Sequence, residues 1–295
     1  MNVSGLQLLC LTLLALLLFG GSTLLAYDTR SNDLCISGGY NKHFTRRIGH
    51  YTTQLFADGS GTCSVVVVDD NSKKRVFQLS ASEPPDRSPE LFIDSASGEP
   101  IAGRTTPILV IGSSDSAGYR YVLASLGTSS RILEEIRNGK GIEFRRLDRT
   151  GSLYLITCDG DLSAFLFKAF DGMSDYAGAL PEVVLRLRDS ILLNASNCFP
   201  ARYDKEILSA QKELADRRTA GLQNAPSANK DSNATIAILQ IVLNYLYSGR
   251  EPEAWRTLHQ MWTLGDEKRI QAAILNAYHT GILTETAGAV QCTNR

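Results

Sequence analysis

The hydrophobic and polar positions divide the chain into stretches with different periods. Residues 6–26 are largely apolar and contain no charged side chain. Residues 51–193 alternate short runs of Val, Ile, Leu, Phe and Tyr with Gly, Asp, Ser and Pro, which predicts β-strands separated by turns. Residues 203–218 and 234–278 carry apolar side chains at spacings close to three and four, which predicts amphipathic helices. The predicted fold class is therefore mainly β, followed by a small α-helical C-terminal domain.

The β pattern is clearest in a series of short segments. These are residues 62–68, 75–80, 107–112, 119–125, 142–146, 153–157, 164–170 and 183–188. Residues 131–137 fit either a strand or one helical turn. Residues 69–72 (Asp-Asp-Asn-Ser) and 115–118 predict hairpin turns, because Asp, Asn and Ser side chains bond their own backbone and Gly tolerates a left-handed conformation.

A polar turn containing Gly recurs before a strongly apolar strand within the β region. The copies lie at residues 58–68, 102–111 and 148–156. Their spacing is similar to that of a four-stranded propeller blade, about 40 to 50 residues. A closed propeller needs at least four blades. We therefore expect a partial propeller-like array or a curled antiparallel sheet array.

The third of these turns is Asp148-Arg149-Thr150-Gly151-Ser152, followed by an apolar strand. With this turn, residues 102–193 resemble the FG-GAP or VCBS-type repeats of exported bacterial proteins, which place an Asp-x-Asp-Gly-Asp-Gly turn before such a strand. The resemblance implies a Ca²⁺ turn at Asp148, but Thr150 and Ser152 stand where those repeats carry acids. Ca²⁺ takes six to eight oxygen ligands, so the sequence favours the fold over a calcium site. No other cofactor is predicted.

The C-terminal pattern predicts helices at residues 203–218, 234–247, 252–262 and 266–278, with a linker at 222–233. Residues 245–254 resemble the turn of a tetratricopeptide-type hairpin, in which a small residue such as Ala254 lets two helices approach closely. A solenoid needs about three repeats, so one copy favours a small helical cap or bundle over a partner-binding groove. Tyr247, Trp255 and Trp262 are the candidates for contact with a partner. Core packing is the favoured role of the two tryptophans.

The expected domain boundaries follow these changes of pattern. Residues 1–26 form a signal peptide or membrane anchor, 27–200 a β-rich repeat domain, 201–233 a helix and linker, 234–284 a helical hairpin-type domain, and 285–295 a tail. The apolar run 6–26 reaches the length of a spanning helix only if residues 20–23 are included. These are small residues of the kind found near a cleavage site, so a cleaved signal peptide is favoured over an uncleaved anchor.

The predicted export of the chain determines whether its cysteines are expected to form disulfides. Cys35, Cys63, Cys158, Cys198 and Cys292 follow the apolar segment, and in an oxidising compartment some of them should pair. Their odd number leaves one over, and the sequence favours Cys292 in the tail. The expected location is secreted, periplasmic or in the cell envelope, with a membrane-anchored form as the alternative.

The charge balance narrows the choice of partners. The chain carries 30 basic and 31 acidic residues, a net charge of −1. No long basic stripe is present, so binding to a phosphate backbone has no electrostatic support. We expect a protein or glycan partner and no nucleic acid, with membrane contact only through residues 6–26 if they are retained.

The strongest candidates for catalysis are Asp159 and Asp161, which flank Gly160 just after a predicted strand. Paired carboxylates cleave glycosidic bonds when a sugar fits between them, but Asp-Gly-Asp is also common turn chemistry. The favoured hypothesis is an exported non-enzymatic binding or assembly module. The alternative is an envelope polysaccharide hydrolase that uses the two carboxylates.

Overall fold

A computed structural model of the chain describes thirteen ranges of residues. These are 34–36, 44–57, 62–80, 90–94, 97–98, 106–115, 118–127, 129–137, 139–149, 153–169, 179–188, 191–219 and 232–292. The predicted signal peptide or anchor and almost all of the predicted linker lie outside the described residues. Among the helices within these ranges, none is both long and apolar enough to cross a bilayer.

The described strands form three antiparallel sheets; the first and third are meanders of consecutive strands, and the second joins β1 to the meander β6–β9. The first sheet contains β2 (Phe44–Ile48), β3 (Tyr51–Ala57), β4 (Cys63–Asp69) and β5 (Arg75–Ser80) in that order. The second has the order β1 (Leu34–Ile36), β6 (Glu90–Ile93), β7 (Ile108–Asp115), β8 (Gly118–Ser125) and β9 (Arg131–Ile136). The third contains β10 (Gly139–Arg146), β11 (Leu153–Asp159), β12 (Glu182–Arg188) and β13 (Ile191–Asn194).

Helices follow the third sheet, and one helix interrupts it. That helix, α1 (Gly160–Ala169), connects β11 to β12. The others are α2 (Pro200–Thr219), α3 (Ser232–Tyr247), α4 (Glu251–Met261) and α5 (Glu267–Thr280). Short 3₁₀ turns span Ser196–Cys198 and Ile282–Glu285.

The second sheet is buried on both faces. Ile108 and Val110 of β7 belong to a core cluster that includes the third sheet and the helices, whereas Leu109 and Ile111 belong to a cluster shared with the first sheet. Side chains alternate between the faces of a strand, so a continuous apolar run is what a strand between two layers requires. The second sheet therefore lies between the first sheet and the helix-covered third sheet.

The helices share their core with the sheets. The larger cluster joins Leu155 of β11 and Leu185 of β12 to Leu243 of α3 and Ile274 of α5. Ala254 is fully buried in the same cluster, where its small side chain lets α4 pack closely. The change of pattern near residue 200 thus marks a change of secondary structure within a continuous core.

The end of α3 shows why the predicted hairpin turn forms. Gly249 adopts φ 81°, a left-handed conformation that costs glycine little. This lets Gly249 N donate to Leu246 O and Arg250 N donate to Tyr245 O. These bonds form a Schellman motif, which ends the helix and turns the chain into α4.

Two disulfides connect the described cysteines. Cys35–Cys63 joins β1 of the second sheet to β4 of the first, and Cys198–Cys292 joins the end of the third sheet to the C-terminal tail. The expectation that Cys292 is left over is wrong, because the tail returns to the third sheet. Cys158, buried in β11, takes part in neither bond. Disulfides of this kind indicate an oxidising environment, extracellular or periplasmic.

The predicted β-rich region followed by helices is confirmed, but one predicted strand is wrong. Residues 164–170 fall largely within α1, whose first turn carries Asp161 and whose last turn carries Lys168, each favourable for the helix dipole. Residues 131–136 form a strand, so the ambiguous segment is resolved. The three sheets form neither a closed propeller nor a closed barrel within the described ranges.

Candidate functional site

Asp159, the stronger catalytic candidate, lies at the end of β11 and is completely buried. Its Oδ1 accepts a bond from Leu162 N at 3.1 Å, in the first turn of α1. Its Oδ2 accepts bonds from Tyr247 Oη at 2.8 Å and from Ile282 N at 3.2 Å. The carboxylate thus caps α1 and ties it to α3 and to the 3₁₀ turn after α5.

Burial dominates the electrostatics of this carboxylate. Loss of solvent raises the pKa of Asp159 above its ordinary value, although the donors from Leu162, Tyr247 and Ile282 act in the opposite direction. Burial and the neighbouring Asp159 also raise the pKa of Tyr247 well above its ordinary value, which keeps its hydroxyl protonated as the donor. A raised acid pKa is a feature of some catalytic sites. Here, however, the carboxylate is enclosed by its own donors.

Asp161 has a different environment from Asp159. It is partly exposed in the first turn of α1 and lies on a cleft of about 290 Å³ between α1 and α5. The other lining residues are Ala164, Phe165, Lys168, Ala273, Asn276, Ala277 and Thr280. The two carboxylates therefore do not face a common space, which the paired-carboxylate hypothesis requires.

Asp148, the candidate calcium ligand, bonds to a neighbouring side chain. Tyr154 Oη donates to Asp148 Oδ2 at 2.7 Å. Burial, together with this carboxylate, raises the pKa of Tyr154 to about 12. Residues 150–152 lie outside the described residues. Within the described ranges, no group of three or more His, Cys, Asp or Glu side chains could hold a metal ion.

The predicted partner-contact residues lie on or in the core. Tyr247 is 1% exposed, and its ring meets that of Tyr278 edge-on at 5.1 Å. It is therefore a buried partner of Asp159 and offers no surface to another molecule. Trp262 is buried, with its indole N–H bonded to Asp266 at 2.8 Å. Trp255 is partly buried against the same core and donates to Glu251 at 2.9 Å, so both tryptophans pack against the core.

The partners of Asp159 were not apparent from the sequence. Ile282 lies 123 residues away along the chain and bonds through its backbone N–H, for which no residue type is diagnostic. The capping role of Asp159 did have a sequence signal, since Asp is a preferred residue immediately before a helix. Leu162, Phe165 and Leu166 follow it at helical spacing.

No protein-family model, curated protein or solved structure matches this chain.

Proposed function

We propose that this chain is an exported, disulfide-stabilised binding or assembly module that contacts its partner through the outer face of the first sheet. The observation that carries the proposal is a row of uncharged side chains across this face. Thr45 of β2 pairs with Gln54 of β3, Gln54 with Val66 of β4, and Val66 with Gln78 of β5.

The side chains of this row point away from the core, which lies on the opposite face of the first sheet. Leu55, Val65 and Phe77 are sequence neighbours of the row and are buried in the cluster between the first and second sheets. Because successive side chains of a strand point to opposite faces, Gln54, Val66 and Gln78 point away from that cluster. The side chains at Thr45, Gln54 and Gln78 are exposed, whereas Val66 between Gln54 and Gln78 is 9% exposed.

The uncharged side chains of the row are better suited to a protein interface than to a surface that stays in contact with solvent. Exposed surfaces ordinarily carry interspersed Lys, Arg, Glu and Asp, whereas the central part of a protein interface is depleted of charge. Gln and Thr side chains offer hydrogen-bond donors and acceptors without the cost of desolvating an ion. A protein surface or a neutral glycan with matching polar groups fits this face.

The contacts of Asp159 give no support to the hydrolase alternative. A general acid must come within hydrogen-bond distance of the reacting atom, and this carboxylate is enclosed by α1, Tyr247 and Ile282. Asp159 therefore has a structural role in this proposal, and binding does not depend on it.

Two added charges test the proposal. Gln54→Glu with Gln78→Glu places carboxylates on the row without altering the buried face, and Ser209→Glu on the exposed side of α2 is a control that adds one charge elsewhere. Cells that express each variant are fractionated, and the chain is cross-linked and recovered under oxidising conditions. The double variant should lose a cross-linked species that the wild type and Ser209→Glu retain.

Two results would contradict the proposal. One is equal recovery of the same species with all three forms of the protein. The other is the release of soluble sugars from envelope polysaccharide by the wild type but not by a folded Asp159→Asn variant. This result would support the hydrolase alternative.

A further inference from the structure

The C-terminal tail covers one edge of the third sheet. Strand β13 lies last in the order of that sheet, and Ala289 of the tail forms a parallel bridge with Asn194. Ala287 N donates to Leu192 O at 2.9 Å, Asn194 N donates to Gly288 O at 2.8 Å, and Val290 N donates to Asn194 O at 2.7 Å. The tail thus satisfies backbone groups that an uncovered edge would present to other strands.

Few side chains hold this tail in place. Ala287, Gly288 and Ala289 are exposed, and a cleft of about 190 Å³ lies between the tail and the end of α5. Val290 is the apolar anchor, packed against a small cluster on the third sheet. The other members of this cluster are Tyr154, Val184, Ala195, Leu147 and Phe199.

The covalent attachment of the tail is accessible to solvent. Cys292 is exposed and Cys198 is partly exposed, whereas Cys35 and Cys63 are 5% and 0% exposed. Thiol–disulfide exchange requires a thiolate to reach one of the sulfurs. A reductant therefore has access to the tail disulfide while the disulfide between the sheets is shielded.

We propose that residues 286–292 are a redox-released strap and that the β13 edge beneath them accepts an extended peptide strand in parallel orientation. The tail shows what this edge accepts, namely Gly288 at φ 136°, a conformation that favours glycine, then Ala289 and an apolar side chain at Val290. Addition of a strand to a free edge is an established mode of peptide recognition. The strap is an intramolecular occupant that an external strand replaces.

The release is a two-electron reduction by a dithiol protein or small molecule. One thiolate of the reductant attacks Sγ of Cys292, the Cys198–Cys292 bond breaks, and Cys198 leaves as a thiolate that takes up a proton. The second thiol of the reductant attacks the mixed disulfide and releases the Cys292 thiol. The reductant becomes a disulfide, and the strap keeps its three backbone bonds to β13 and the packing of Val290.

Hydrogen exchange on the oxidised full-length chain tests the release. Brief treatment with dithiothreitol without denaturant, followed by alkylation and mass spectrometry, should label Cys198 and Cys292 before Cys35 and Cys63. The amides of residues 287–290 and of β13 should then exchange at least about tenfold faster, while those of β4 stay unchanged. Unchanged exchange at the tail and β13 after reduction would overturn the strap.

Peptide binding tests the uncovered edge. The probe is a labelled synthetic peptide with the sequence of residues 285–291, and the control peptide carries Asp in place of the residue corresponding to Val290. The first peptide should bind the reduced wild type and a Cys198→Ser, Cys292→Ser variant about tenfold or more tightly than the oxidised wild type. The intact disulfide attaches the strap at a second point, which raises its local concentration at the edge above that of a strap attached through the backbone alone. Equal binding to oxidised and reduced protein, or equal binding of both peptides, would overturn the proposal.

If the double serine variant does not fold, the reduced wild type still provides the test. The far-ultraviolet circular dichroism of the reduced wild type can be checked in the same sample. A dimer that forms on reduction of the wild type but not of a Val290→Asp variant would support strand binding at the β13 edge. It would also identify the tail of a second copy as the bound strand.

Discussion

The carboxylate of Asp159 lies so close to Gly281 that a Cβ built on this glycine would lie 2.1 Å from Oδ2. Gly281 has φ −79° and ψ −162°, which any residue can adopt. The glycine is therefore required for space, because the turn after α5 crosses directly over the end of β11. This close approach also lets Ile282 N reach the carboxylate.

Replacing Gly281 by alanine should destabilise the protein. The methyl group would displace the Asp159 carboxylate from its donors, and overpacking of this kind costs about 1 to 3 kcal/mol. Urea denaturation followed by circular dichroism measures the loss. Gly127→Ala is the matched control, since its added Cβ would meet Thr106 at an ordinary 3.5 Å. Equal stability of the two variants would show that the turn relaxes without cost.

The pH dependence of stability should report the buried carboxyl. The pKa of Asp159 is raised in the folded state, so the folded protein binds the proton more tightly than the unfolded chain does. The resulting stabilisation is present below the unfolded value, near 3.8, and is lost as the pH rises through the folded pKa. The free energy of unfolding of the wild type relative to Asp159→Asn should therefore fall as the pH rises from about 4.

Denaturant titrations of both proteins at a series of pH values measure this difference. Other carboxylates such as Asp69, whose pKa is lowered chiefly by its bond from the Asn71 backbone, contribute equally to both proteins and cancel. A difference that rises with pH would mean that the donors from Leu162, Tyr247 and Ile282 outweigh the effect of burial on the Asp159 pKa.

Removal of the Asp148 carboxylate should weaken the third sheet to the same extent with and without calcium. Asp148→Ala breaks the bond from Tyr154 Oη, a loss of about 1 kcal/mol. Tyr154→Phe should cost a similar amount, and the double variant less than the sum of the two. Thermal unfolding in calcium and in a chelator provides the measurement. A calcium-dependent midpoint in the wild type that Asp148→Ala lacks would establish the metal turn that the sequence resemblance implies.

The disulfide between the first two sheets should contribute more to the free energy of unfolding than the local contacts of its two cysteines. Cys35 and Cys63 are separated by 28 residues, and their bond restricts the unfolded chain. The Cys35→Ser, Cys63→Ser variant should lose about 2 to 4 kcal/mol. Equilibrium unfolding of the oxidised variant tests this value, with the Cys198→Ser, Cys292→Ser variant as the comparison. On non-reducing electrophoresis the wild type should migrate faster than its reduced form, and identical mobility would contradict both disulfides.

The predicted turns and helices whose determinants are local agree with the structure. In the turn after β4, Asn71 N donates to Asp69 Oδ1 and Ser72 Oγ donates to Asp69 Oδ2, each at 2.9 Å. These are bonds between residues that the sequence places side by side. Gly249 ends α3 for a similarly local reason, since its left-handed conformation is available to glycine at little cost. Local propensity and long-range packing favour the same structure at these positions.

Residues 164–170 show where a local pattern misleads. Their nearly continuous apolar side chains fit a strand, but Asp159 caps a helix and Leu162 and Leu166 are buried on one side of it. Asp159 also illustrates the limit on site prediction. The sequence identified Asp159 as chemically notable, but whether it faces solvent depends on Tyr247 and Ile282, which reach it through elements distant in the chain.

The amino-acid pattern alone was sufficient for the β-rich region, the C-terminal helices, the hairpin turns and the expectation of disulfides, because period, turn chemistry and residue type act over a few neighbouring residues. The order of the layers, the pairing of Cys292 with Cys198 and the burial of Asp159 emerged from packing. Each depends on which distant segments come together to bury apolar surface, and many pairings of the same segments satisfy the local pattern equally well.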